Sequence, residues 1–305
     1  MQPSHLSRTR ARGHRGTHLF SISDLGEIIY QSGVPGRSEV AVVVPLFNYR
    51  NTVIETLESV LAQDLRPLAA IVVDDCSTDG GGDVAAEFLR RHGPRFTAAR
   101  VVRHKRNQGL SMARNSGIAW SSEPFLFTLD ADNRIRPPAL SRLLQALHNA
   151  GAAFAYSQLC RFGEETGIGV ADVWDPARLL DGNYIDAMAL IRRDALRAAG
   201  GYAVMADDHG WEDYDLWCRF AELGFEGVFV PELLCEYRVH SASMTHTRTA
   251  KYGNSLMAEM ALRHGALFGR RGHAGDRRPT AWRSPQGYGD DGASYTQKAP
   301  RESFP

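Results

Sequence analysis

Ala41-Val42-Val43-Val44-Pro45-Leu46-Phe47 is a short, mostly apolar, β-branched run, and it reads as a buried strand. The period then changes. Over residues 51–64, Val53, Ile54, Leu57, Val60 and Leu61 fall on one face at helical spacing. A second buried strand over 69–75 carries acids only at its C-terminal end. The alternation continues with a helix over 83–91, whose apolar positions are Val84, Phe88 and Leu89, and a strand over 98–104. A helix over 111–120 takes Ser111 as its N-cap, and a strand over 125–129 follows. Pro137 and Pro138 open a helix to about Asn149, and a strand lies over 152–158. This pattern predicts an α/β fold with a mostly parallel sheet flanked by helices.

The second half is looser. Residues 161–182 read as loop-rich, 186–192 as a strand, and 194–199 as a short helix ending at Gly200-Gly201. Residues 211–223 form a strongly amphipathic helix with Gly224 just past its end. Short strands over 227–230 and 233–239 and a helix over 250–262 complete the pattern, and no repeat is present.

Composition narrows the function. The chain has 305 residues, zero formal net charge and 43% hydrophobic residues, which suits one large α/β domain or two small ones. Zero net charge argues against nucleic acid as the main partner. No run approaches the ~20 apolar residues that span a bilayer. Residues 1–15 lack the apolar stretch of a secretory signal. Cys76, Cys160, Cys218 and Cys235 show no CxxC spacing, so neither a zinc site nor a disulfide framework is expected, and a reducing cytoplasm is. Arg8, Arg10, Arg12 and Arg15 mark a basic stretch at one end; Arg270, Arg271, Arg277, Arg278 and Arg283 mark another. Both ends read as disordered tails, with weak attraction to an anionic membrane as the sharper alternative.

In open parallel sheets, ligands bind beyond the carboxyl ends of the strands. Asn48 follows the first strand, Asp74 and Asp75 end the second, and Asp130 and Asp132 follow the fourth. Two aspartates one residue apart offer hard oxygen ligands to Mg²⁺ or Mn²⁺, which take one or two carboxylates plus substrate phosphates. Asp75 is placed to accept the ring N–H of a uracil or thymine; the plainer alternative is a capping loop. Glu212, Asp213 and Asp215 open an amphipathic helix, where the macrodipole favours acids in any case. As a general base, Asp213 would take the proton of an attacking hydroxyl. His240 is structural, a third metal ligand or a diphosphate contact, and Arg238 could pair with a phosphate.

Taken together, these segments resemble the family 2 glycosyltransferases, which have the GT-A fold. The resemblance rests on Val43-Val44-Pro45-Leu46-Phe47-Asn48, Val73-Asp74-Asp75-Cys76-Ser77-Thr78-Asp79, Asn107-Gln108-Gly109-Leu110-Ser111-Met112-Ala113-Arg114-Asn115, Asp130-Ala131-Asp132 and Glu212-Asp213. It implies a metal-dependent, inverting transfer from a nucleoside-diphosphate sugar, UDP- or dTDP-linked, to a glycan or lipid-linked acceptor in cell-surface polysaccharide or glycan biosynthesis. Pro45, Asn48, Asp74, Asp75, Gly109, Arg114, Asp130 and Glu212 would line the donor site. Asp130, Asp132 and His240 would hold Mn²⁺ or Mg²⁺, and Asp213 would be the base. Cys76 stands where the family usually has glycine or asparagine.

The implied organisation is a basic tail over 1–38 and a GT-A domain over 39–265, with a Gly/Pro-rich tail over 266–305. Within the domain, 39–160 is the nucleotide-sugar half and 161–265 the acceptor half. The implied location is the cytoplasm, including the inner membrane face. A sugar-1-phosphate nucleotidyltransferase would need a Gly-rich loop where Leu46-Phe47-Asn48-Tyr49-Arg50 stands. A dinucleotide oxidoreductase would need GxGxxG after a strand, which is absent. An inactive nucleotide-sugar or glycan-binding module of the same fold is the alternative, and loss of Asp132 or Asp213 would favour it.

Overall fold

Every residue of β2 (Val40–Leu46) is buried. Its alternate side chains enter different cores: Val40, Val42 and Val44 join one, Ala41 and Val43 the other. A strand covered on both faces reads as a continuous apolar run, which is the signal the sequence carries. The computed structural model describes residues 26–205, 210–241, 243, 247 and 250–269.

β3 (Leu68–Asp74), β4 (Ala98–Arg103) and β5 (Phe125–Thr128) complete a parallel group in the order β4-β3-β2-β5. On one face, α1 (Val53–Leu61), α2 (Gly81–His92) and α4 (Ala139–Ala150) bring Leu57, Leu89 and Leu143 to the first core. Each such side chain contributes roughly 1.5–3 kcal/mol by leaving water. On the other face, α3 (Leu110–Trp120) packs through Gly117, where an added Cβ would meet Val43 Cγ1 at 2.2 Å. Glycine there is what lets helix and strand approach.

The sheet then turns mixed. β9 (Ala189–Arg192) pairs antiparallel with β5 and with β7 (Phe154–Gly163). β10 (Gly227–Val239) runs parallel to β7 and carries β6 (Arg134–Ile135) at its far edge, while β8 (Gly167–Ile168) pairs β7. α5 (Arg193–Ala199), α6 (Glu212–Glu222), α7 (Ala250–Arg263) and α8 (Gly265–Phe268) follow in the same half. Phe154 stacks on Trp217 of α6 in the second core, with centroids 5.0 Å apart. One ten-stranded sheet therefore runs through both expected halves.

Several expectations are corrected. The stretch assigned to a disordered tail through residue 38 contains a strand, β1 (Glu27–Gly33), paired antiparallel with β4. The two short strands over 227–239 are one strand with register shifts around Val230–Cys235, where Pro231 has no N–H to give the ladder. The strand expected over 186–192 begins only at Ala189. Gly109, not Ser111, caps α3; the Ser111 hydroxyl donates to the Ala203 carbonyl at 2.7 Å. The basic residues of both ends lie outside the described residues. All four cysteines are free thiols. Among the described residues, no helix is long and apolar enough to cross a membrane.

Candidate active site

The carboxyl ends of β2, β3 and β5 lie side by side, as the parallel register requires. The loops after β2 and β3 are joined to each other. Asn48 N–H donates to Ser77 Oγ at 3.0 Å, and Asn48 Oδ1 accepts Thr78 N–H at 2.8 Å. Arg50 N–H donates to Asp79 Oδ2 at 2.8 Å. Asn48 and Cys76 take left-handed backbone at φ 59° and 63°, so both loops turn sharply. Pro45 is buried at the end of β2, beside Val73.

Asp74 and Asp75 are both buried. Asp74 caps its own turn by accepting Ser77 N–H at 2.9 Å and pairs with Arg103 Nε at 2.7 Å. The Asp75 carboxylate accepts the N–H groups of Gln108 at 2.9 Å and Gly109 at 2.8 Å, and bonds His104 Nδ1 at 2.6 Å. His104 Nε2 in turn lies 2.8 Å from Ser116 Oγ on α3. Asp75 thus orders the 104–109 loop that delivers α3. Gly109, at φ 87°, makes the turn into that helix.

α3 carries Arg114 to the centre of the site. Its guanidinium is only 2% exposed, yet it holds two acids: Nη1 donates to Glu212 Oε1 at 2.5 Å and Nη2 to Asp130 Oδ1 at 2.8 Å. The Tyr202 ring lies 5.2 Å from Arg114 Cζ. Burial works against the Arg114 charge, but Asp130 and Glu212 overcome it and hold the group protonated.

Asp132 lies beyond Asp130 and is nearly buried; His240 Nε2 is 3.0 Å from its Oδ2. Burial raises the Asp132 pKa, and the neighbouring Asp130 charge raises it further, against His240. The Tyr49 hydroxyl, pushed up by burial and by the same two aspartates, borders the pair. Arg238, considered a phosphate partner, is engaged elsewhere: it donates to the Asp132 carbonyl at 2.9 Å and pairs with Glu55.

α6 supplies the remaining acids. Trp211 caps it in left-handed backbone at φ 69°. Glu212 points to Arg114. Asp213 is partly exposed, with Oδ2 accepting Asn183 Nδ2 at 3.0 Å and Oδ1 accepting Tyr214 N–H at 2.7 Å. Asp215 faces away from both. Burial pushes Asp213 up to about 6, opposed by Arg114 and reinforced by Asp186. Burial likewise pushes Glu212 up to about 7, opposed by Arg114 and reinforced by Asp213. Burial thus raises Glu212 and Asp213 against the pull of Arg114, while the arginine stays charged.

Asp186, Asn183, Tyr49 and Tyr202 belong to this site without any signal in the sequence. Asp186 precedes β9 and is pushed up to about 6, by burial first and then by Asp130. Only its i, i+2 bond to Met188 N–H is local enough to be legible, and that is an ordinary Asx turn.

Among the described residues, no three His, Cys, Asp or Glu side chains are grouped to hold a metal ion alone. A cation that takes one or two carboxylates and completes its shell with diphosphate and water needs no such group. The adjacent, mutually repelling Asp130 and Asp132 fit that requirement.

Comparison with known proteins bears on the family and the fold. The family model for glycosyl transferase family 2 matches residues 41–208. TuaG of Bacillus subtilis, whose name assigns it to teichuronic acid biosynthesis, is 25% identical over 214 residues, 68% of this chain and 82% of TuaG. Residues 1–349 of Staphylococcus aureus TarS, solved with UDP-GlcNAc, superpose with TM-score 0.61 at 15% identity, covering 75% of this chain and 69% of that one. The mannosyltransferase PcManGT of Pyrobaculum calidifontis, solved with GDP-Man and Mn²⁺, gives TM-score 0.55 at 17% identity, covering 81% and 80%.

Proposed function

The chain belongs to glycosyl transferase family 2, and from that premise we propose that it moves one sugar, with inversion, from a UDP- or dTDP-linked donor to an acceptor hydroxyl. The observation that carries this reading is the Arg114 guanidinium, which brings the Asp130-Ala131-Asp132 turn and the first turn of α6 into one site. A donor's diphosphate and a base are needed on opposite sides of the anomeric carbon, and Arg114 bonds one acid from each of the two segments.

Asp130 and Asp132 would hold Mn²⁺ or Mg²⁺ against the diphosphate; His240, expected as a third ligand, is not grouped with them for that and instead hydrogen-bonds Asp132 Oδ2. The cation, when bound, supplies Lewis-acid stabilisation of the departing diphosphate oxygen. Asp213 accepts the acceptor proton as the hydroxyl oxygen bonds the anomeric carbon and the bond to diphosphate breaks. Asn183 and the Tyr214 N–H fix the two Asp213 oxygens, so the base does not wander. A base near 6 is ionised at neutral pH yet basic enough to take a proton.

The Asn48, Asp74, Asp75 and Gly109 loops would surround the nucleoside, with Pro45 beneath. Asp75 would accept the uracil or thymine ring N–H besides the Gln108 and Gly109 N–H groups that it already accepts. A role in polysaccharide assembly is supported by the name of TuaG, which refers to teichuronic acid biosynthesis; the acceptor would be a glycan or a lipid-linked glycan.

A thermal-shift panel of UDP, dTDP and GDP with MnCl₂ tests the donor, because a ligand that binds only the folded state raises its melting temperature. UDP or dTDP should shift the protein more than GDP. Equal shifts for all three would remove Asp75 as the reader of the base.

A further inference from the structure

We propose that Arg114 is a positioning residue that links the Asp130 carboxylate to the base-bearing helix α6 through Glu212, so that α6 sets the geometry of the cation site. This rests on the proposed function only in taking Asp130 as a ligand of the donor-bound cation.

The geometry is that of a bridge. The two bonds leave different Nη atoms of one planar group, and the acids they reach lie 16 and 98 residues away in the chain. Asp130 follows β5, and Glu212 is the first residue of α6. Nothing else among the contacts described joins those two acids. The guanidinium is buried against Tyr202, which restricts its rotation. Its Nε is buried without a hydrogen-bond partner, so the group gives up one bond to keep both acids.

The consequence concerns Asp130 itself. Arg114 occupies Oδ1 and leaves Oδ2 for another partner. A cation ligand held by a fixed outer partner has its orientation set in advance, and loss of such a partner typically costs about 10–100-fold in metal affinity or activity. Here the outer partner is itself fixed by Glu212. A lysine could meet one acid but not hold both, because its ammonium is a point charge and not a fork.

Titration calorimetry of UDP at saturating MnCl₂ tests this. Glu212→Gln should weaken UDP·Mn²⁺ binding about 10-fold, with Asp130 and Asp132 untouched. Arg114→Met should weaken it at least as much, and the double variant should lose nothing further. If Arg114→Met does not fold, Arg114→Lys replaces it in the same cycle. A Glu212→Gln protein that melts lower but binds UDP·Mn²⁺ like the native protein would make the bridge an ordinary buried ion pair and overturn the proposal. So would a Glu212→Gln loss that persists in full in the Arg114 variant, since Glu212 would then act on the ligand directly. A native protein that does not bind UDP with Mn²⁺ would instead overturn the proposed donor site, and the bridge with it.

Discussion

The Asp215 carboxylate accepts the Nε–H of Arg263 at 2.6 Å, tying the first turn of α6 to the last residue of α7 across 48 residues of chain. The same carboxylate accepts Arg219 Nε at 2.7 Å and lies 3.1 Å from His264 Nε2. Its side chain has no exposure. In sequence, Glu212, Asp213 and Asp215 form one acidic helix start. In the fold each has its own set of partners.

Asp215 is expected to carry stability, with a pH signature. Burial alone would raise its pKa, but the His264 hydrogen bond and the Arg219 and Arg263 charges pull it down to about 2. A folded pKa below the unfolded value of ~3.9 stabilises the fold fully above pH ~4, by about 2–3 kcal/mol, and this is lost as pH falls toward 2. Urea melts of the native protein and Asp215→Asn should therefore differ at pH 7 and converge near pH 2. A constant difference across that range would place the stabilisation elsewhere.

Cys76 sits at φ 63° with no hydrogen bond from its side chain among those described. Left-handed backbone costs a residue bearing a Cβ roughly 1–2 kcal/mol, and glycine escapes that while losing more freedom on folding. Cys76→Gly is expected to stabilise the protein by about 0.5–1 kcal/mol, seen as a rise of ~1–4 °C in melting temperature. A lower melting temperature would show that the thiol packs usefully in the loop.

The parallel half of the fold was legible because strands buried on both faces leave continuous apolar runs. β1 was not, because Glu27-Ile28-Ile29-Tyr30-Gln31-Ser32-Gly33 is a half-exposed edge strand whose polar residues resemble the stretch before it. The acids at the strand ends were legible as a group, since parallel topology brings those ends together. The resemblance grouped Arg114 with Glu212 and Asp132 with His240, but their direct bonds were not legible: they span 98 and 108 residues, and pairing at that range has no sequence period. Asp186 and Asn183 sit in a loop-rich stretch, where local pattern says nothing of what the side chain meets.

Asp132→Ala is expected to abolish Mn²⁺-dependent UDP binding while leaving the protein folded. Burial raises the Asp132 pKa, and Asp130 raises it further, so its charge is a liability to the free protein that His240 relieves in part and a bound cation would relieve further. His240→Ala should weaken binding less, because it removes one hydrogen-bond partner of Asp132 and leaves both carboxylates. Native UDP affinity in Asp132→Ala with MnCl₂ would sink the assignment.

The base is tested by charge and by pH together. Asp213→Asn keeps the size and can still hydrogen-bond, but the amide cannot take the acceptor proton. Turnover should fall on the order of 10²–10⁴-fold, with UDP·Mn²⁺ affinity near native. The native kcat/KM should fall as pH drops below about 6, because the base must be ionised and the Asp213 carboxyl is raised to about that value. Asp213→Asn should lose that acid limb. Asn183→Ala should keep the limb but move it upward, since the Asn183 N–H favours the ionised form at 3.0 Å. Asp215→Asn provides the internal control: it faces Arg263 and His264, so its cost should appear in melting and not in the turnover of folded protein. Glu212→Gln should lower donor affinity through Arg114 and leave the acid limb in place. If Glu212→Gln instead removes the limb and Asp213→Asn does not, the base is one residue earlier on α6, and Asp213 serves only to cap the helix.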